Sequence, residues 1–356
     1  MLKQAERKRA AALIIAGGRS TRFWPEGRSY RPKPLFAMDG KHSLVAATIA
    51  RLQPLIPTDR IFVLVAANHA AIFRRALKGL LAPANLIVEP EARGTTVAIA
   101  YGAAVIARRL DDHAIVAVMP ADHHIPEAKQ FRRSLAEAIA LATRPEALVV
   151  VGVTPNRAET GYGYQAIGAA IGTGFKVTRF VEKPDRAQAQ RMVRSGKFLW
   201  NAGMFVVRVA TLKNELKRHA PSLAEVMERF ATMKPAALRR AYGKLKLASF
   251  DRVVAEQSRN LIGVRARFSW GDVGSWEGLW EAQRGASHSV VSGNVVALDS
   301  TGVLARGGKR LMVLIGVRDL IAIDTDDAIL LIERTRSQEI GQALEELKRR
   351  GLHGYL

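Results

Sequence analysis

The sequence predicts an α/β protein with a doubly wound, mostly parallel sheet, followed by a smaller β-rich domain. Short apolar runs rich in Val and Ile occur at residues 12–16, 61–66, 86–88, 115–119 and 147–153. Such runs are typical of strands that are buried on both faces. Helical patterns lie between them, at residues 44–52, 70–81, 95–110 and 130–141. Strands that alternate with helices in this way favour a parallel sheet.

After residue 161 the pattern changes. The stretches GYGYQAIG and FKVTRFVEKP indicate strands, residues 186–195 a helix, AGMFVVRV another strand, and residues 212–243 a wholly helical region. From residue 290, short strands separated by Gly, Asn and Asp predict a small β domain with the rhythm of a short solenoid, closed by an amphipathic helix at 337–350. The expected divisions are a basic tail at 1–10, a first domain at 11–285 and a second at 286–356.

Composition excludes several classes of protein. The 356 residues include no cysteine, which excludes disulfides, thiolate nucleophiles and Cys-ligated zinc. No apolar run is long enough for a membrane-spanning helix. The first 18 residues have the charge pattern of a signal peptide, but a basic tail leading into a buried strand is the better interpretation, and we expect a cytoplasmic protein.

The net charge of +22 raises the question of a polyanionic partner. Blocks of basic residues interleaved with aromatic residues would indicate nucleic acid, and the sequence has none. A generally basic surface is therefore the favoured interpretation, and nucleic acid the disfavoured partner.

The first candidate site is a glycine turn with basic residues after it. The predicted strand at 12–16 runs into Gly17 and Gly18, and Arg22 and Lys33 follow. Glycines allow a phosphate to approach the backbone closely, and cationic side chains neutralise its oxygens. The turn matches neither the G-x-G-x-x-G nor the P-loop pattern, so taken alone it is as often structural as functional.

Two aspartates are candidate metal ligands. Asp122 follows a buried strand, and Asp272 lies between glycines in the stretch SWGDVGSW. Mg²⁺ prefers one or two carboxylates together with substrate phosphates. Taken alone, both residues could instead be ordinary turn or helix-cap aspartates. His123 and His124 are interpreted as structural, because no third zinc ligand has a suitable spacing.

Two strand ends carry groups that suit a sugar phosphate. Glu182 and Lys183 place an acceptor beside a cation, and Asn201 precedes Ala-Gly at the start of a strand. Acceptors of this kind bind hydroxyl groups, and a lysine binds phosphate. Each could also be an ordinary strand-end residue.

Together, these motifs resemble those of bacterial mannose-1-phosphate guanylyltransferases, which belong to the nucleotide-sugar pyrophosphorylase superfamily. The resemblance runs in order from about residue 11 to residue 340. It is carried by GGRSTRFWP, RPKPL, EPEARGTT, PADH, RAETGYGYQAIG, FVEKPD, LWNAGMF, SFDRVVAE and WGDVGSWEGLW.

The resemblance implies a Rossmann-like nucleotidyltransferase domain with a small C-terminal left-handed β-helix-like domain. It also implies Mg²⁺-assisted transfer of GMP from GTP to mannose 1-phosphate, giving GDP-mannose for polysaccharide biosynthesis. The implied catalytic residues are Arg22, Lys33 and Lys183. The implied nucleotide-binding residues are Gly17, Gly18, Arg22, Lys33, Glu89, Pro90, Arg93 and Thr95. The implied sugar-binding residues are Gly161, Glu182, Lys183 and Asn201, and the implied metal ligands are Asp122 and Asp272.

Some positions depart from the family pattern. Ser20 replaces a glycine, and would carry strain of about 1–2 kcal/mol if the position needs a positive φ. Arg252 replaces a tyrosine, and Gly94 and Thr96 replace asparagine and alanine. Two alternatives therefore stay open: a related enzyme with another base or sugar, and a weakened homologue that senses nucleotide or binds a polyanion. A homodimer also stays open.

Overall fold

The computed structural model describes residues 4–17, 20–28, 30–37, 42–245, 248–284 and 288–356. These residues form two compact units. The first unit contains the described residues of 1–17, 46–121 and 125–270. The second contains those of 18–45, 122–124 and 271–356, so short segments from the N-terminal half belong with the C-terminal part of the chain.

The first unit is built on a nine-stranded sheet in the order β3-β2-β1-β4-β8-β5-β9-β7-β6. The strands are β1 Ala10–Ile15, β2 Ile61–Ala66, β3 Leu86–Glu89, β4 Ile115–Pro120, β5 Leu148–Val153, β6 Gly163–Ile171, β7 Gly174–Glu182, β8 Phe198–Arg208 and β9 Leu261–Arg265. The first four are mutually parallel, as predicted. The sheet as a whole is mixed, because β8 enters antiparallel between β4 and β5.

The first helices of this unit alternate with strands, as predicted. The helices are α1 Gln4–Arg9, α2 Leu44–Leu52, α3 Ala70–Ala76, α4 Thr95–Leu110, α5 Ala128–Leu141, α6 Arg186–Ser195, α7 Val209–His219, α8 Pro221–Phe230 and α9 Pro235–Gly243. Helix α1 lies within the predicted basic tail, and α2 begins in the second unit. Residues 212–243 are three helices rather than one continuous region, because Pro221 and Pro235 each begin a new helix, where proline is tolerated.

The core of the first unit forms where α4 packs on the parallel strands. Gly102 of α4 shows how closely they approach, since a Cβ at this position would lie 2.4 Å from Leu13 of β1. Strands β1, β2, β4 and β5 are buried along almost their whole length, as their apolar runs predicted.

The second unit contains the β-helix-like domain. Its strands are β10 Val290–Ser292, β11 Val295–Leu298, β12 Leu304–Arg306, β13 Met312–Ile315, β14 Leu320–Asp324 and β15 Ile329–Glu333, and its helices are α10 Trp276–Gln283 and α11 Ile340–Arg349. Strands β10, β12 and β14 pair in parallel, as do β11 and β13, which is the pattern of successive coils. The terminal α-helix begins at Ile340, later than predicted, because residues Arg334–Glu339 form a 3₁₀ helix.

The N-terminal segment of the second unit shares a core with its β strands. Phe23, Trp24 and Phe36 are buried with Trp276 and Ile321. The ring of Phe23 meets those of Phe36 and Trp276 edge-on, at centroid distances of 5.8 and 5.1 Å. Across the described parts of the chain, no helix has the length and apolar character needed to cross a membrane.

Candidate active site

Lys33 joins the two predicted metal ligands, Asp122 and Asp272. Its buried ammonium donates to Asp122 Oδ2 at 2.6 Å and to the backbone carbonyl of Asp272 at 2.8 Å. Burial alone would raise the pKa of Asp122, but the charges of Lys33 and His123 hold this pKa below its usual value. We call Arg22, Lys33, Asp122 and Asp272 the Lys33 cluster. All four belong to the second unit.

A short backbone bridge places the two aspartates near each other. His124 and Gly271 exchange hydrogen bonds of 2.9 and 3.1 Å, so the segment after Asp122 runs beside the segment before Asp272. Arg22, the fourth member of the cluster, lies close to Asp272 because residue 274 is a glycine. A Cβ at this position would lie 3.1 Å from Asp272 Oδ2 and 3.3 Å from an Arg22 guanidinium nitrogen. The structure therefore brings together one exposed arginine, one buried lysine and two aspartates.

The donor set of this cluster fits a divalent cation that also binds substrate phosphates. Among the described residues, no group of three or more His, Cys, Asp or Glu side chains could hold a metal by itself. A carboxylate oxygen of Asp122 and the backbone carbonyl of Asp272 meet at this ammonium, and oxygen ligands of this kind suit a divalent cation whose coordination phosphates and water complete.

Ser20 is not strained. Its φ is −82°, so the departure from glycine carries no left-handed backbone penalty. The buried Ser20 hydroxyl accepts a hydrogen bond from the backbone N–H of Lys33. Ser20 therefore holds the residue at the centre of the Lys33 cluster.

The predicted glycine turn is described only in part. Gly17 follows β1 and is exposed, and no described heavy atom lies within 4 Å of a Cβ built on it. That open space is compatible with close approach of a phosphate. Gly18 lies outside the described residues.

The residues predicted for the base and ribose surround the end of β3 in the first unit. Glu89 is buried and accepts a 2.9 Å hydrogen bond from the Tyr242 hydroxyl. Pro90 follows it and is partly buried. Arg93 pairs with Glu91 at 2.9 Å, and its Nε is buried without an acceptor among the described residues.

The two departures in this segment have structural explanations. Gly94, which precedes α4, has a φ of 97°, a conformation that favours glycine. The Thr96 hydroxyl is fully buried and donates to the carbonyl of Ala248 at 2.7 Å. Thr95, predicted to line the nucleotide, is exposed, and its hydroxyl accepts from the backbone N–H of Phe250 at 2.9 Å.

We expect Glu89 to make the stability of the protein depend on pH. Burial raises its pKa from 4.5 to about 7, although the bond from Tyr242 opposes the shift. Between these values the folded protein keeps a proton that the unfolded chain releases, so stability falls as pH rises. Relative to the Glu89→Gln variant, the free energy of unfolding of the wild-type protein should fall by up to about 3 kcal/mol between pH 4.5 and pH 8.

Urea unfolding of both proteins at pH 5 and pH 8 measures this difference. The partly exposed neighbour Glu91, replaced by Gln, is the matched control and should not reproduce the effect. A gap between wild type and Glu89→Gln that stays constant across pH would contradict the assignment.

Three of the residues predicted to bind the sugar phosphate come together in the first unit. Lys183 Nζ lies 3.1 Å from Glu182 Oε1. Asn201 donates to Asp251 Oδ1 at 2.7 Å, and the backbone N–H of Glu182 donates to Glu256 Oε1 at 2.6 Å. We call Glu182, Lys183, Asn201, Asp251 and Glu256 the Glu182 cluster.

Gly161 has no direct contact with this cluster among the described interactions. It is exposed, and its N–H donates to Glu159 at 3.0 Å. The next residue, Tyr162, accepts at its carbonyl from the backbone N–H of Lys183 at 3.1 Å. Gly161 is therefore one residue from a backbone bond to the cluster.

Sequence reasoning assigned no role to Asp251 or Glu256. Both lie in SFDRVVAE, which carried part of the resemblance, but an isolated aspartate has no local pattern that shows its burial. Burial raises the pKa of Asp251, and burial together with the charge of Asp251 raises that of Glu182. A cluster with three carboxylates and one ammonium suits hydroxyl donors, and Lys183 is its cation.

Comparison with known proteins finds a matching family for each of the two parts of the chain. Residues 11–289 match the family described as nucleotidyl transferase, and residues 293–347 one described as MannoseP isomerase/GMP-like β-helix domain. A mannose-1-phosphate guanylyltransferase of Salmonella muenchen is 33% identical over 346 residues, covering 94% of this chain and 73% of the relative. The alginate biosynthesis protein AlgA of Pseudomonas syringae pv. tomato is 32% identical, with coverages of 95% and 72%.

Solved structures confirm the fold. A Thermus thermophilus protein described as a mannose-1-phosphate geranyltransferase has a TM-score of 0.87 and 33% identity, covering 96% of this chain and 99% of that one. A Helicobacter pylori protein described as a mannose-6-phosphate isomerase has a TM-score of 0.60 and 25% identity, covering 73% and 98%. The chain belongs to the nucleotidyl transferases, in the family of the mannose-1-phosphate guanylyltransferases.

Proposed function

We propose that this protein transfers GMP from GTP to α-D-mannose 1-phosphate, giving GDP-mannose and pyrophosphate. The observation that carries the proposal is the Lys33 cluster, in which a buried ammonium joins two aspartates beside an arginine. This arrangement suits a metal-bound triphosphate. The names of the relatives support the choice of GTP and mannose 1-phosphate.

The reaction is a direct displacement. An oxygen of the sugar phosphate forms a bond to the α-phosphorus of GTP, the bond from that phosphorus to the bridging oxygen breaks, and pyrophosphate leaves with the electron pair. The attacking group is already an anion, so no covalent nucleophile is required. The protein supplies positioning and charge neutralisation.

Each cluster has a separate part in this reaction. Arg22 and Lys33 neutralise the triphosphate, and Gly17 and Gly18 allow it to approach the backbone. Asp122 and Asp272 would hold Mg²⁺, which lowers the repulsion between the two polyanionic substrates. Lys183 binds the sugar phosphate, and Glu182 and Asn201 accept from or donate to its hydroxyls. Gly161, which makes no described contact with the cluster, also binds the sugar.

The residues around the end of β3 have the part of binding the base and the ribose. Glu89, Pro90, Arg93 and Thr95 line the guanine and ribose. The buried Arg93 Nε, which has no acceptor among the described residues, supports this role. GTP as substrate also favours a cytoplasmic location, and a homodimer remains compatible with the proposal.

Pyrophosphate release tests the function. The protein is incubated with Mg²⁺, mannose 1-phosphate and each of GTP, ATP, UTP and dTTP in turn, and then with GTP and other sugar 1-phosphates. Release with GTP and mannose 1-phosphate is the expected result. A strong preference for another pair would show that the protein is a related nucleotidyltransferase with a different base or sugar. The change at Gly94 is the reason to test this alternative. No release with any pair would contradict the proposal.

Ser20 gives a smaller, separable prediction. Ser20→Gly removes the acceptor for the Lys33 backbone and loosens the loop, so kcat/KM for GTP should fall about 3–10-fold, as expected for one hydrogen bond. The Ser20→Ala variant should show a similar fall in kcat/KM for GTP, because it also lacks the hydroxyl. Steady-state kinetics with varied GTP measure both. Unchanged kinetics in both variants would show that the Ser20 hydroxyl does not hold Lys33 in the working enzyme.

A further inference from the structure

The first unit has a concentration of positive charge in a cleft of about 990 Å³. We call it the basic cleft. Its charged lining residues are Arg7, Lys129, Arg132, Arg133, Arg267 and Glu137. Five cations and one carboxylate leave a formal charge of +4. These residues are shared with neither the Lys33 cluster nor the Glu182 cluster.

Most of this charge is uncompensated. Glu137 already pairs with Arg267 at 3.0 Å. Within the part of the chain that the structure describes, Arg7, Lys129, Arg132 and Arg133 form no ion pair with a carboxylate. Arg7, Arg132 and Arg133 donate to neutral acceptors instead. Arg132, for example, donates to the carbonyl of Arg51 at 3.1 Å.

Arg51, whose backbone carbonyl accepts from Arg132, carries a further positive charge. Its guanidinium is buried and donates to the carbonyl of Ile125 at 3.1 Å rather than to a carboxylate. Burial lowers the pKa of Arg51 to about 10, so the group stays protonated at neutral pH. A charge without a nearby counter-ion strengthens attraction for an anion.

The spacing of the charges on α5 adds a local repulsion. Lys129 and Arg133 are four residues apart and lie on the same helix face, with Arg132 beside them. Like charges at this spacing destabilise a helix, and a bound anion relieves that repulsion.

The side chains that line the basic cleft favour phosphate groups as the bound anion. Four of the five cations are arginines, whose planar guanidinium pairs bidentately with phosphate. None of the described residues lining the cleft is aromatic, so the surface on which nucleic-acid bases stack is missing. We propose that the basic cleft is a second anion site, which binds a small molecule carrying at least two adjacent phosphate groups.

Calorimetric titration with inorganic tripolyphosphate, without nucleotide, sugar phosphate or divalent metal, tests this site. The cleft variant is Lys129→Gln/Arg132→Gln/Arg133→Gln. The matched control, Arg74→Gln/Arg75→Gln/Lys78→Gln, removes the same charge from exposed positions at α3 of the same unit. We expect wild type and control to show two classes of site, and the cleft variant to lose at least about tenfold in affinity at one of them.

Several outcomes would overturn the proposal. Equal losses in the cleft and control variants would show a general charge effect, and two intact classes of site in the cleft variant would show that the cleft does not bind the anion. A mixed-sequence single-stranded oligonucleotide that binds at least tenfold tighter than tripolyphosphate, and depends on the same three residues, would make the partner a nucleic acid. Lys129→Gln alone repeats the test if the triple variant does not fold. Pyrophosphate release by the cleft variant should stay at the wild-type rate, which separates this site from the proposed reaction.

Discussion

Asp122→Asn should lower kcat by about 10³-fold or more with little effect on folding. The asparagine can still accept from the Lys33 ammonium, so the contact of 2.6 Å is weakened rather than lost. What disappears is the negative charge that would hold Mg²⁺ and balance Lys33. Steady-state pyrophosphate release measures the rate, and thermal unfolding measures the fold.

A control from the same unit separates this effect from general loss of an ion pair. Asp327 pairs with Arg28 at 2.8 Å and is outside the Lys33 cluster, so Asp327→Asn should keep near-wild-type turnover. A Mg²⁺ titration adds a second readout, since loss of a ligand should move the half-saturating concentration upward. Near-normal turnover in both Asp122→Asn and Asp272→Asn would remove the metal assignment.

Lys183→Ala should reduce kcat/KM for mannose 1-phosphate about 30–100-fold, which corresponds to roughly 2–3 kcal/mol for a charge-assisted hydrogen bond. The KM for GTP should change little. The loss is large because the other charged members of the Glu182 cluster, Glu182, Asp251 and Glu256, are carboxylates that repel a phosphate. Without the ammonium, they discourage the substrate that they otherwise help to bind.

The controls for this variant are a conservative replacement and a distant one. Lys183→Arg should restore part of the activity, because it returns the positive charge. Lys197→Ala removes an exposed lysine of the same unit and should have no effect. The Lys183 side chain is 55% exposed, so its truncation should not alter thermal unfolding. A change confined to the GTP dependence would show that Lys183 acts on the nucleotide.

The sequence predicted the parts of the fold that have a local signal. Strand β2 and helices α2, α4 and α6 have the predicted bounds, because an apolar run or a regular helical period marks each of them. The position of β8 has no such signal. Its pairing with β4 joins residues far apart in the chain, and a strand pattern does not show whether its neighbour is parallel.

In the candidate site, too, the sequence predicted some residues but not the contacts between them. Residue types identified Lys33, Asp122 and Asp272, but their contact depends on the backbone bridge between His124 and Gly271, which periodicity does not show. Asp251 is the converse case. Its position at the start of the π-helix Asp251–Ala255 and the hydrogen bond from Asn201 make it part of the Glu182 cluster, and neither can be deduced from one aspartate in a sequence.

The antiparallel entry of β8 has a consequence for synthesis on the ribosome. Ile115 of β4 pairs with Arg208 of β8, so β4 has no partner on that side until the chain is about 90 residues longer. At about 5–20 residues per second, the wait is roughly 5–20 s. For that interval the nascent chain presents an unpaired edge on a strand that is apolar throughout, and such edges pair readily with other chains. The edge of β4 is therefore open to association with other chains until residue 208 has been synthesised.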